Sequence, residues 1–251
     1  MIGLSAVVIT KNEDRKIGDC LDSLLKVTDD VVVVDSGSTD RTREICLAKG
    51  ARFFTRAWDG YAGQKNFGNA QARHDWVVSI DADERLSDQL VASIGLAFAQ
   101  ERPYDAYTLP FATYFCGQWI RFGGWNPEWH VRIFDKRALQ WNHDAVHEGL
   151  TLGFQHRIGK LAGQVRHYTV DNLADFYAKT EIYSTLFAER GQAAGKRSTW
   201  AKRLFSPVFR FVAEYFFRLG FLDGRAGYRI ARENARYTYL KYLKLHRKTA
   251  T

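Results

Sequence analysis

The chain has 251 residues, of which 46% are hydrophobic and 25% charged, and its formal net charge at pH 7 is +8. This composition excludes disorder over most of the chain, and the length suits one large domain or one domain with an appendage. The three cysteines are odd in number and lack C-x-x-C spacing. They argue against a disulfide framework or a zinc site of the usual spacing, and they favour a reducing compartment.

The positive charge is concentrated towards the carboxyl end. Residues 196–251 contain 14 Lys and Arg against three acidic residues, whereas residues 1–195 contain 22 against 25. A near-neutral body with a basic, aromatic tail indicates an anionic partner surface, either a membrane or a nucleic acid. We expect no signal peptide, because the first residues lack a basic n-region, and no membrane span, because no run of about 18 apolar residues occurs.

Apolar runs alternate with helical patterns over residues 1–100. The runs predict strands at 4–10, 31–34, 51–55 and 76–80. Helical spacing follows the first strand, and further helices are predicted from a cap at Asp40 to a stop at Gly50, over 63–73, and over 87–100. This β-α-β-α order predicts an α/β fold with a mostly parallel sheet and helices on both faces.

The pattern changes after residue 104. Strand-like segments at 106–111, 131–134 and 161–167 are separated by loops rich in Gly, Trp and Pro. From residue 173 onward the chain has a helical pattern, and Pro207, Gly220 and Gly224 predict the breaks in it.

Three polar motifs follow predicted strands. T-K-N-E at 10–13 follows the first strand, D-S-G at 35–37 follows the second, and D-A-D at 81–83 follows the fourth. Ligands of parallel α/β sheets bind beyond the carboxyl ends of the strands, so this coincidence indicates one binding site at that edge.

Asp81 and Asp83 are two residues apart, so on an extended segment both carboxylates face the same way. Two carboxylates together with a substrate diphosphate suit Mg²⁺ or Mn²⁺, although a solvated turn would explain the pair as well. Asp35 is placed to bond a nucleoside base or ribose, or to form a helix cap or an Asx turn. Asn12 and Glu13 have the same alternative, a capped turn before the first helix.

Several familiar sites are excluded by the sequence. No G-x-G-x-x-G follows the first strand, and no G-x-x-x-x-G-K-[ST] or H-E-x-x-H occurs.

Taken together, the motifs resemble those of family 2 glycosyltransferases, which have the Rossmann-like GT-A fold. The matching segments are T-K-N-E, the V-V-V-V-D-S-G-S-T-D run at 31–40, G-Q-K-N at 63–66 and S-I-D-A-D-E-R at 79–85. Later segments are similar to bacterial lipopolysaccharide core β-1,4-glucosyltransferases: G-G-W-N-P-E-W at 123–129, V-R-I-F at 131–134, V-H-E at 146–148 and G-F-L-D-G at 220–224. The resemblance covers nearly the whole chain.

The resemblance implies roles for the motif residues. Asp83 would ligate Mg²⁺ or Mn²⁺ directly, Asp81 would hold the ribose or a metal-bound water, and Lys65 would approach the diphosphate. Many relatives carry a second Asp where this chain has Ser36. The nucleoside pocket would be formed by Thr10, Asn12, Glu13 and Asp35.

The implied reaction is an inverting single displacement, in which an acceptor hydroxyl attacks the anomeric carbon and a nucleoside diphosphate leaves. A carboxylate must take the acceptor proton. Glu148 is the first candidate, with Asp144 and Glu128 as alternatives, and a salt bridge or loop cap is the other explanation for Glu148. Trp125 and Trp129 would stack on acceptor sugar rings, or else anchor their loops.

The predicted organisation is a catalytic domain at 1–170, with a nucleotide-sugar half at 1–100 and an acceptor half at 101–170. A helical, basic and aromatic extension follows at 171–251. Part of this extension has apolar residues at helical spacing between arginines, which predicts a helix lying on an anionic membrane or packed on the catalytic domain. The residues of that stripe are Phe205, Val208, Phe209, Val212, Tyr215, Phe216 and Leu219.

The predicted activity is transfer of a sugar, expected to be glucose from UDP-glucose, to a lipid-linked lipopolysaccharide core acceptor. The expected location is the cytoplasmic face of the bacterial inner membrane, with an anionic membrane surface as partner and no nucleic acid. The alternatives are transfer to another glycan or lipid carrier, a nucleotidyltransferase using the same paired Asp, and a basic binding module without activity.

Overall fold

The computed structural model describes residues 3–99, 103–126, 128–142 and 149–249. The chain forms two compact units, the first of Met1–Phe111 and Glu128–His167, the second of Ala112–Pro127 and Tyr168–Thr251. The predicted boundary at residue 170 stays a prediction, and the second unit also takes in a segment from the middle of the chain.

The first unit contains nine strands, in whole or in part, and four helices among the described residues. In chain order, the strands and α-helices as far as residue 170, in both units, are β1 (Leu4–Thr10), α1 (Ile17–Leu24), β2 (Asp30–Asp35), α2 (Thr42–Ala48), β3 (Arg52–Thr55), α3 (Tyr61–Gln71), β4 (Trp76–Asp81), β5 (Glu84–Leu86), α4 (Asp88–Ala99), β6 (Ala106–Phe115), β7 (Gln118–Ile120), β8 (Glu128–Asp135), β9 (Ile158–Lys160) and β10 (Val165–Val170). Of these, β7 belongs to the second unit, and β6 and β10 run from one unit into the other.

The strand order of the sheet is β3-β2-β1-β4-β8-β6-β10-β5. The pairs β3-β2, β2-β1 and β1-β4 are parallel, whereas β4-β8, β8-β6 and β10-β5 are antiparallel. The predicted α/β sheet is therefore found, with three of its parallel pairs among the first four strands and a further short one between β6 and β9. The reason is connectivity: α1, α2 and α3 supply the crossovers that parallel pairing of β1 to β4 needs, whereas the described residues between β6 and β8 form only β7 and a 3₁₀ turn.

Alternate residues of the central strands face opposite sides of the sheet. Ala6 and Val8 of β1 belong to a core cluster with the apolar faces of α1 and α4. Val7 and Ile9 belong to a second cluster, which includes Ala62 of α3. This alternation puts helices on both faces of the sheet, as the sequence predicts.

The second unit is mostly helical. Its helices are α5 (Leu173–Ala193), α6 (Trp200–Val212) and α7 (Gly224–Thr249), with a π-helical segment at Ala213–Phe217 and a 3₁₀ turn at Gly220–Asp223 between α6 and α7. The predicted break at Pro207 is wrong, because α6 runs through it. A proline costs a helix one hydrogen bond, and water can satisfy the freed carbonyl on an exposed helix such as this one.

The core of the second unit is an aromatic cluster around the β6-β7 hairpin. Phe115, Trp125 and Phe176 pack with ring centroids 5.3 to 5.8 Å apart. The buried carboxylate of Asp223 accepts hydrogen bonds from the backbone N–H groups of Arg121 and Phe122 at 3.0 and 2.8 Å. Over the described ranges, no helix is long and apolar enough to cross a membrane.

Candidate functional site

The strand register brings the polar motifs to one edge of the sheet. In the parallel pairing of β1 with β2, Thr10 lies opposite Asp35. In the pairing of β1 with β4, Ile9 lies opposite Asp81. The carboxyl ends of three adjacent strands therefore present Thr10, Asp35 and Asp81 side by side, where a parallel α/β sheet binds its ligands.

Asp35 is buried and forms a turn. Its carboxylate accepts hydrogen bonds from the backbone N–H groups of Gly37 and Ser38, at 3.0 and 2.9 Å, and from the Ser38 hydroxyl. This is the Asx-type turn that the sequence left open as an alternative, and the nucleoside contact stays a prediction. On the neighbouring strand, the buried Thr10 hydroxyl has no hydrogen-bond partner within the described residues. Buried polar groups are nearly always bonded, so this hydroxyl is free to bond a ligand.

Asn12 and Glu13 connect the turn after β1 to the turn after β2. Asn12 has a φ of 55°, a left-handed conformation that Asn tolerates well. Its side-chain oxygen accepts the backbone N–H of Thr39 at 2.8 Å, and its own N–H donates to the Ser38 hydroxyl at 2.8 Å. The backbone N–H of Glu13 donates to the Thr42 hydroxyl at 2.9 Å. These bonds fix the two loops that flank Asp35.

Asp81 lies between two buried cations. One carboxylate oxygen is 3.1 Å from the ammonium nitrogen of Lys65 on α3, and the other is 3.6 Å from the guanidinium of Arg132 on β8. Burial alone would raise the pKa of Asp81, but the charges of Lys65 and Arg132 outweigh it and lower the pKa to about 2. Asp81 is therefore ionised at neutral pH, and Lys65 brings a positive charge to this edge of the sheet.

Glu84 and Arg132 form a buried ion pair next to Asp81. The Arg132 guanidinium donates to one oxygen of Glu84 at 3.0 Å, and the other oxygen accepts the backbone N–H of Asp81 at 3.0 Å. Burial raises the pKa of Glu84 against the opposing charge of Arg132. Arg132 thus holds both the Asp81 side chain and, through Glu84, the Asp81 backbone. It is a positioning residue for the D-A-D loop.

Asp83 and His167 supply a possible cation site. Nε2 of His167 is 3.4 Å from the Asp83 carboxylate, and the Asp83 side chain is 20% exposed. Burial would lower the pKa of His167, but the hydrogen bond and charge of Asp83, with the charges of Glu84 and Asp81, raise it. No cluster of three or more His, Cys, Asp or Glu side chains suited to a metal ion is found in the part of the chain that the structure describes.

Glu128 is the one predicted base candidate that lies in the described ranges. Its carboxylate is 2.9 Å from Nε2 of His130, and the hydrogen bond from His130 lowers the pKa of Glu128 against partial burial. The ring of Phe111 contacts His130 at 4.8 Å and His167 at 6.3 Å, so one aromatic ring links the Glu128 pair to the Asp83 pair. Asp144 and Glu148 lie outside the described residues.

The predicted acceptor tryptophans lie in different units. Trp129 is exposed in the first unit, and the Lys160 ammonium is 5.3 Å from its ring centroid. Trp125 belongs to the aromatic cluster of the second unit, where it packs on Phe115 and Phe176. Its contacts are those of a loop anchor, and sugar stacking by either ring stays a prediction.

The comparison with known families decides the class of the protein. A model of the family described as Glycosyl transferase family 2 matches residues 5–157. The chain belongs to glycosyl transferase family 2.

Individual relatives place this glycosyltransferase more closely. An uncharacterized glycosyltransferase of Rickettsia typhi is 32% identical over 237 residues, which cover 90% of this chain and 80% of the relative. The lipopolysaccharide core biosynthesis glycosyltransferase LpsC of Rhizobium meliloti is 29% identical over 98% of this chain and 93% of its own length. The resemblance to lipopolysaccharide core enzymes is therefore confirmed at the level of similarity.

A solved structure shows the same fold. The mannosyltransferase PcManGT of Pyrobaculum calidifontis, in complex with GDP-Man and Mn²⁺, aligns with a TM-score of 0.55 over 97% of this chain and 87% of its own. At 14% identity the likeness is one of fold alone. It agrees with the predicted GT-A architecture of this glycosyltransferase.

Sequence reasoning did not find Arg132, Glu84 or His167 as parts of the site. Arg132 and Glu84 stand inside two of the quoted motifs, V-R-I-F and D-A-D-E-R, but no role was predicted for either. A charged residue in an otherwise apolar strand was the available signal for Arg132, since buried charges are paired. His167 carried no signal, because its pairing with Asp83 depends on the register of β10 with β5.

Proposed function

We propose that this glycosyltransferase moves glucose from UDP-glucose to a lipopolysaccharide core acceptor, with inversion at the anomeric carbon. The observation that carries the donor site is the row of Thr10, Asp35 and Asp81 on three adjacent strand ends, with the Lys65 ammonium 3.1 Å from Asp81. A nucleoside diphosphate carries polar edges and negative charge. The free Thr10 hydroxyl and the Lys65 ammonium match them, with the turn around Asp35 forming the wall.

A divalent cation, Mg²⁺ or Mn²⁺, fits the site through Asp83, and through His167 once the cation displaces the proton that Asp83 favours on its imidazole. The Asp83 carboxylate is partly exposed and has an imidazole nitrogen 3.4 Å away, whereas Asp81 is already neutralised by two cations. With two protein ligands at hand, diphosphate oxygens and water would complete the shell. When bound, the cation neutralises negative charge that develops on the leaving diphosphate.

Other residues of the chain bind the diphosphate, hold the D-A-D loop and accept the proton of the acceptor. Lys65 is held by Asp81 and is positioned to meet the diphosphate. Arg132 and Glu84 keep the D-A-D loop in one conformation, so the site needs little reorganisation on binding. A carboxylate takes the proton of the attacking hydroxyl. We assign this role first to Glu148, with Asp144 and Glu128 as the other candidates, and the hydrogen bond from His130 lowers the pKa of Glu128.

Similarity to LpsC, a lipopolysaccharide core biosynthesis glycosyltransferase, supports our proposal for the acceptor class. We propose a lipid-linked saccharide acceptor, with Trp125 and Trp129 as stacking surfaces for its sugars. Such an acceptor is held at the cytoplasmic face of the inner membrane, and an anionic membrane surface would then be a second partner.

Donor hydrolysis tests this proposal. UDP-, GDP-, ADP- and CMP-sugars are incubated with Mn²⁺, Mg²⁺ or EDTA, and released nucleotide is separated by ion-exchange chromatography. We expect metal-dependent release of UDP from UDP-glucose, and its loss in Asp83→Asn but not in Asp88→Asn, an exposed Asp outside the site. Release of pyrophosphate from a nucleoside triphosphate would instead indicate a nucleotidyltransferase and overturn the proposal.

A further inference from the structure

Helix α6 of the second unit exposes an apolar face. None of its 13 residues is buried. Five large side chains recur at helical spacing on one side, and two of them, Phe205 and Phe209, are 60% and 71% exposed. Soluble surfaces rarely carry contiguous apolar patches of this kind unless they bind something.

The apolar surface continues beyond α6. The π-helical segment and the 3₁₀ turn that follow add further exposed side chains, of which Phe217 is 78% exposed. We call the whole set the apolar platform. Its members are Trp200, Leu204, Phe205, Val208, Phe209, Phe216, Phe217, Leu219, Phe221 and Leu222. The stripe predicted from the sequence also included Val212 and Tyr215, which are half-buried. The platform adds five exposed residues that the stripe lacked: Trp200, Leu204, Phe217, Phe221 and Leu222.

The opposite side of α6 is fastened to α7. The rings of Phe211 and Tyr215 contact Tyr228 at 6.0 and 5.9 Å. The buried Glu214 carboxylate accepts hydrogen bonds from Arg210 and, at 2.8 Å, from the Asn234 amide. The platform is therefore presented outward on a fixed base.

The charged side chains exposed along the segment that carries the platform are all positive. Residues 196–232 include nine Lys and Arg and two acids, Glu214 and Asp223. Both acids are buried and bonded within the second unit, so they are not part of its surface. The exposed surface of this segment therefore offers apolar and positively charged side chains and no negatively charged one, the combination that binds an anionic bilayer.

We propose that the apolar platform docks this enzyme on an anionic lipid bilayer, with its aromatic side chains in the interface and the flanking Lys and Arg at the headgroups. A nucleic acid would need cations at the centre of the contact, where this surface has Phe, Val and Leu. Helix α7 is not the docking element, because its Arg236 and Lys244 pair with Glu181 of α5 and its Ile230 and Leu245 are buried.

Vesicle co-sedimentation tests the docking. Full-length protein is mixed at low salt with vesicles of phosphatidylcholine alone or of phosphatidylcholine with phosphatidylglycerol. We expect sedimentation only with the anionic vesicles and its decline as salt is raised. Phe205→Asp/Phe209→Asp should weaken partitioning by at least about tenfold, and Lys196→Glu/Lys202→Glu by at least about 30-fold.

Matched variants in the first unit control for the general effects of losing apolar side chains or positive charge. Leu47→Asp/Leu96→Asp replaces two exposed leucines outside the platform, and Arg15→Glu/Arg43→Glu makes the same change in net charge; both should sediment like the wild type. Equal loss in control and platform variants, or no sedimentation of the wild type with anionic vesicles, would overturn the proposal. So would binding of single-stranded RNA without binding of vesicles, or light scattering showing a dimer that Phe205→Asp/Phe209→Asp dissociates.

These measurements distinguish a failure of the docking proposal from a failure of the proposed donor chemistry. Phe205→Asp/Phe209→Asp and Lys196→Glu/Lys202→Glu should both keep the wild-type rate of metal-dependent UDP-glucose hydrolysis without vesicles, because none of these four residues is assigned to the donor site. Loss of sedimentation with unchanged hydrolysis supports docking. Loss of both, with an altered circular dichroism spectrum, would mean that these side chains maintain the fold, which contradicts their assignment to a free surface.

Discussion

Arg132 lies next to two acidic side chains of the candidate site, Asp81 and Glu84. It pairs with Glu84 at 3.0 Å and lies 3.6 Å from Asp81, and removing it would leave both acids near an unfilled, buried position. We predict that Arg132→Met lowers the free energy of unfolding by about 3 kcal/mol, the cost of an uncompensated buried charge. Arg137→Met, which removes an exposed arginine from its pairs with Asp135 and Asp75, should cost no more than about 1 kcal/mol.

Urea denaturation followed by circular dichroism measures both values. Arg132→Lys should recover part of the stability, because it restores the positive charge but lacks the guanidinium Nη2 that lies near both acids. An Arg132→Met protein as stable as Arg137→Met would show that the buried pair adds nothing to the fold.

His167 and His130 make matched pairs with carboxylates, and we assign them different roles. His167→Gln should raise the Mn²⁺ concentration for half-maximal donor hydrolysis by about tenfold or more. His130→Gln should leave that concentration unchanged and alter turnover if Glu128 is the base. Titration of activity with Mn²⁺ separates the two effects. An unchanged Mn²⁺ requirement in His167→Gln would remove His167 from the cation site.

At the scale of elements, the placement of Lys65 depends on how closely α3 packs on the sheet. A Cβ at Gly68, one turn along α3 from Lys65, would lie 2.4 Å from a methyl group of Val7 on β1 and 3.1 Å from one of Val34 on β2. Gly68→Ala should therefore push α3 away from the sheet, lowering stability by about 1 to 3 kcal/mol and weakening donor binding.

Gly95 of α4 is the control, because a Cβ there meets nothing within 4 Å. Gly95→Ala should raise stability by about 0.5 to 1 kcal/mol, the ordinary gain of replacing a helical glycine. Thermal unfolding compares the two variants. The same sign of change in both would mean that the packing of α3 on β1 is not tight.

Asp30 links the amino-terminal ends of β1, β2 and β3 to the loop after α3, at the edge of the sheet opposite to the site. Its buried carboxylate accepts hydrogen bonds from the Ser5 hydroxyl at 2.6 Å, the Arg73 backbone N–H at 2.8 Å and the Arg52 guanidinium at 2.9 Å. Burial opposes ionisation, but these bonds outweigh it and lower the pKa of Asp30. The stabilisation is therefore complete above the unfolded pKa of about 4 and is lost as the pH falls through the folded value.

We predict that Asp30→Asn lowers the free energy of unfolding by about 3 kcal/mol at neutral pH, and that the difference from wild type shrinks below about pH 4. Asp29→Asn changes the exposed neighbour and should do neither. Urea denaturation at several pH values provides the comparison. A difference that stays constant from neutral pH to about pH 3 would show that Asp30 ionisation does not contribute to stability.

The elements that sequence predicted best are those with a local signal. The β-branched runs of β1, β2 and β4 and the capped helix α4 lie within one or two residues of their predicted bounds. The strands β5 and β9, three residues each, were missed because they are too short for a period to show. The π-helical segment was missed because it follows α6 without a change in composition.

The residues of the candidate site also differ in whether a local sequence pattern reveals them. The gathering of Thr10, Asp35 and Asp81 follows from parallel strands alone, so sequence could predict it. The contacts of Arg132 and His167 arise from the antiparallel register of β8 and β10, which is set by long-range pairing that no local pattern reveals.

At the scale of the whole molecule, we propose a different binding partner for each of the two units. The first unit carries the edge at which we propose that a nucleoside-diphosphate sugar and a cation bind. The second carries the apolar platform that we propose meets a bilayer. A soluble saccharide acceptor should therefore be used equally by wild type and by Phe205→Asp/Phe209→Asp, whereas an acceptor embedded in anionic vesicles should be used faster by the wild type.

The most direct measurement of the central claim is titration calorimetry of UDP into the wild type and Asp83→Asn, each with Mn²⁺ and with EDTA. We predict that the wild type binds UDP with Mn²⁺ and at least about tenfold more weakly with EDTA, and that Asp83→Asn shows only the weaker binding in both conditions. Asp88→Asn should behave as the wild type. Equal affinity in the wild type and Asp83→Asn with Mn²⁺ would contradict a cation-assisted nucleoside-diphosphate site at the carboxyl end of β4.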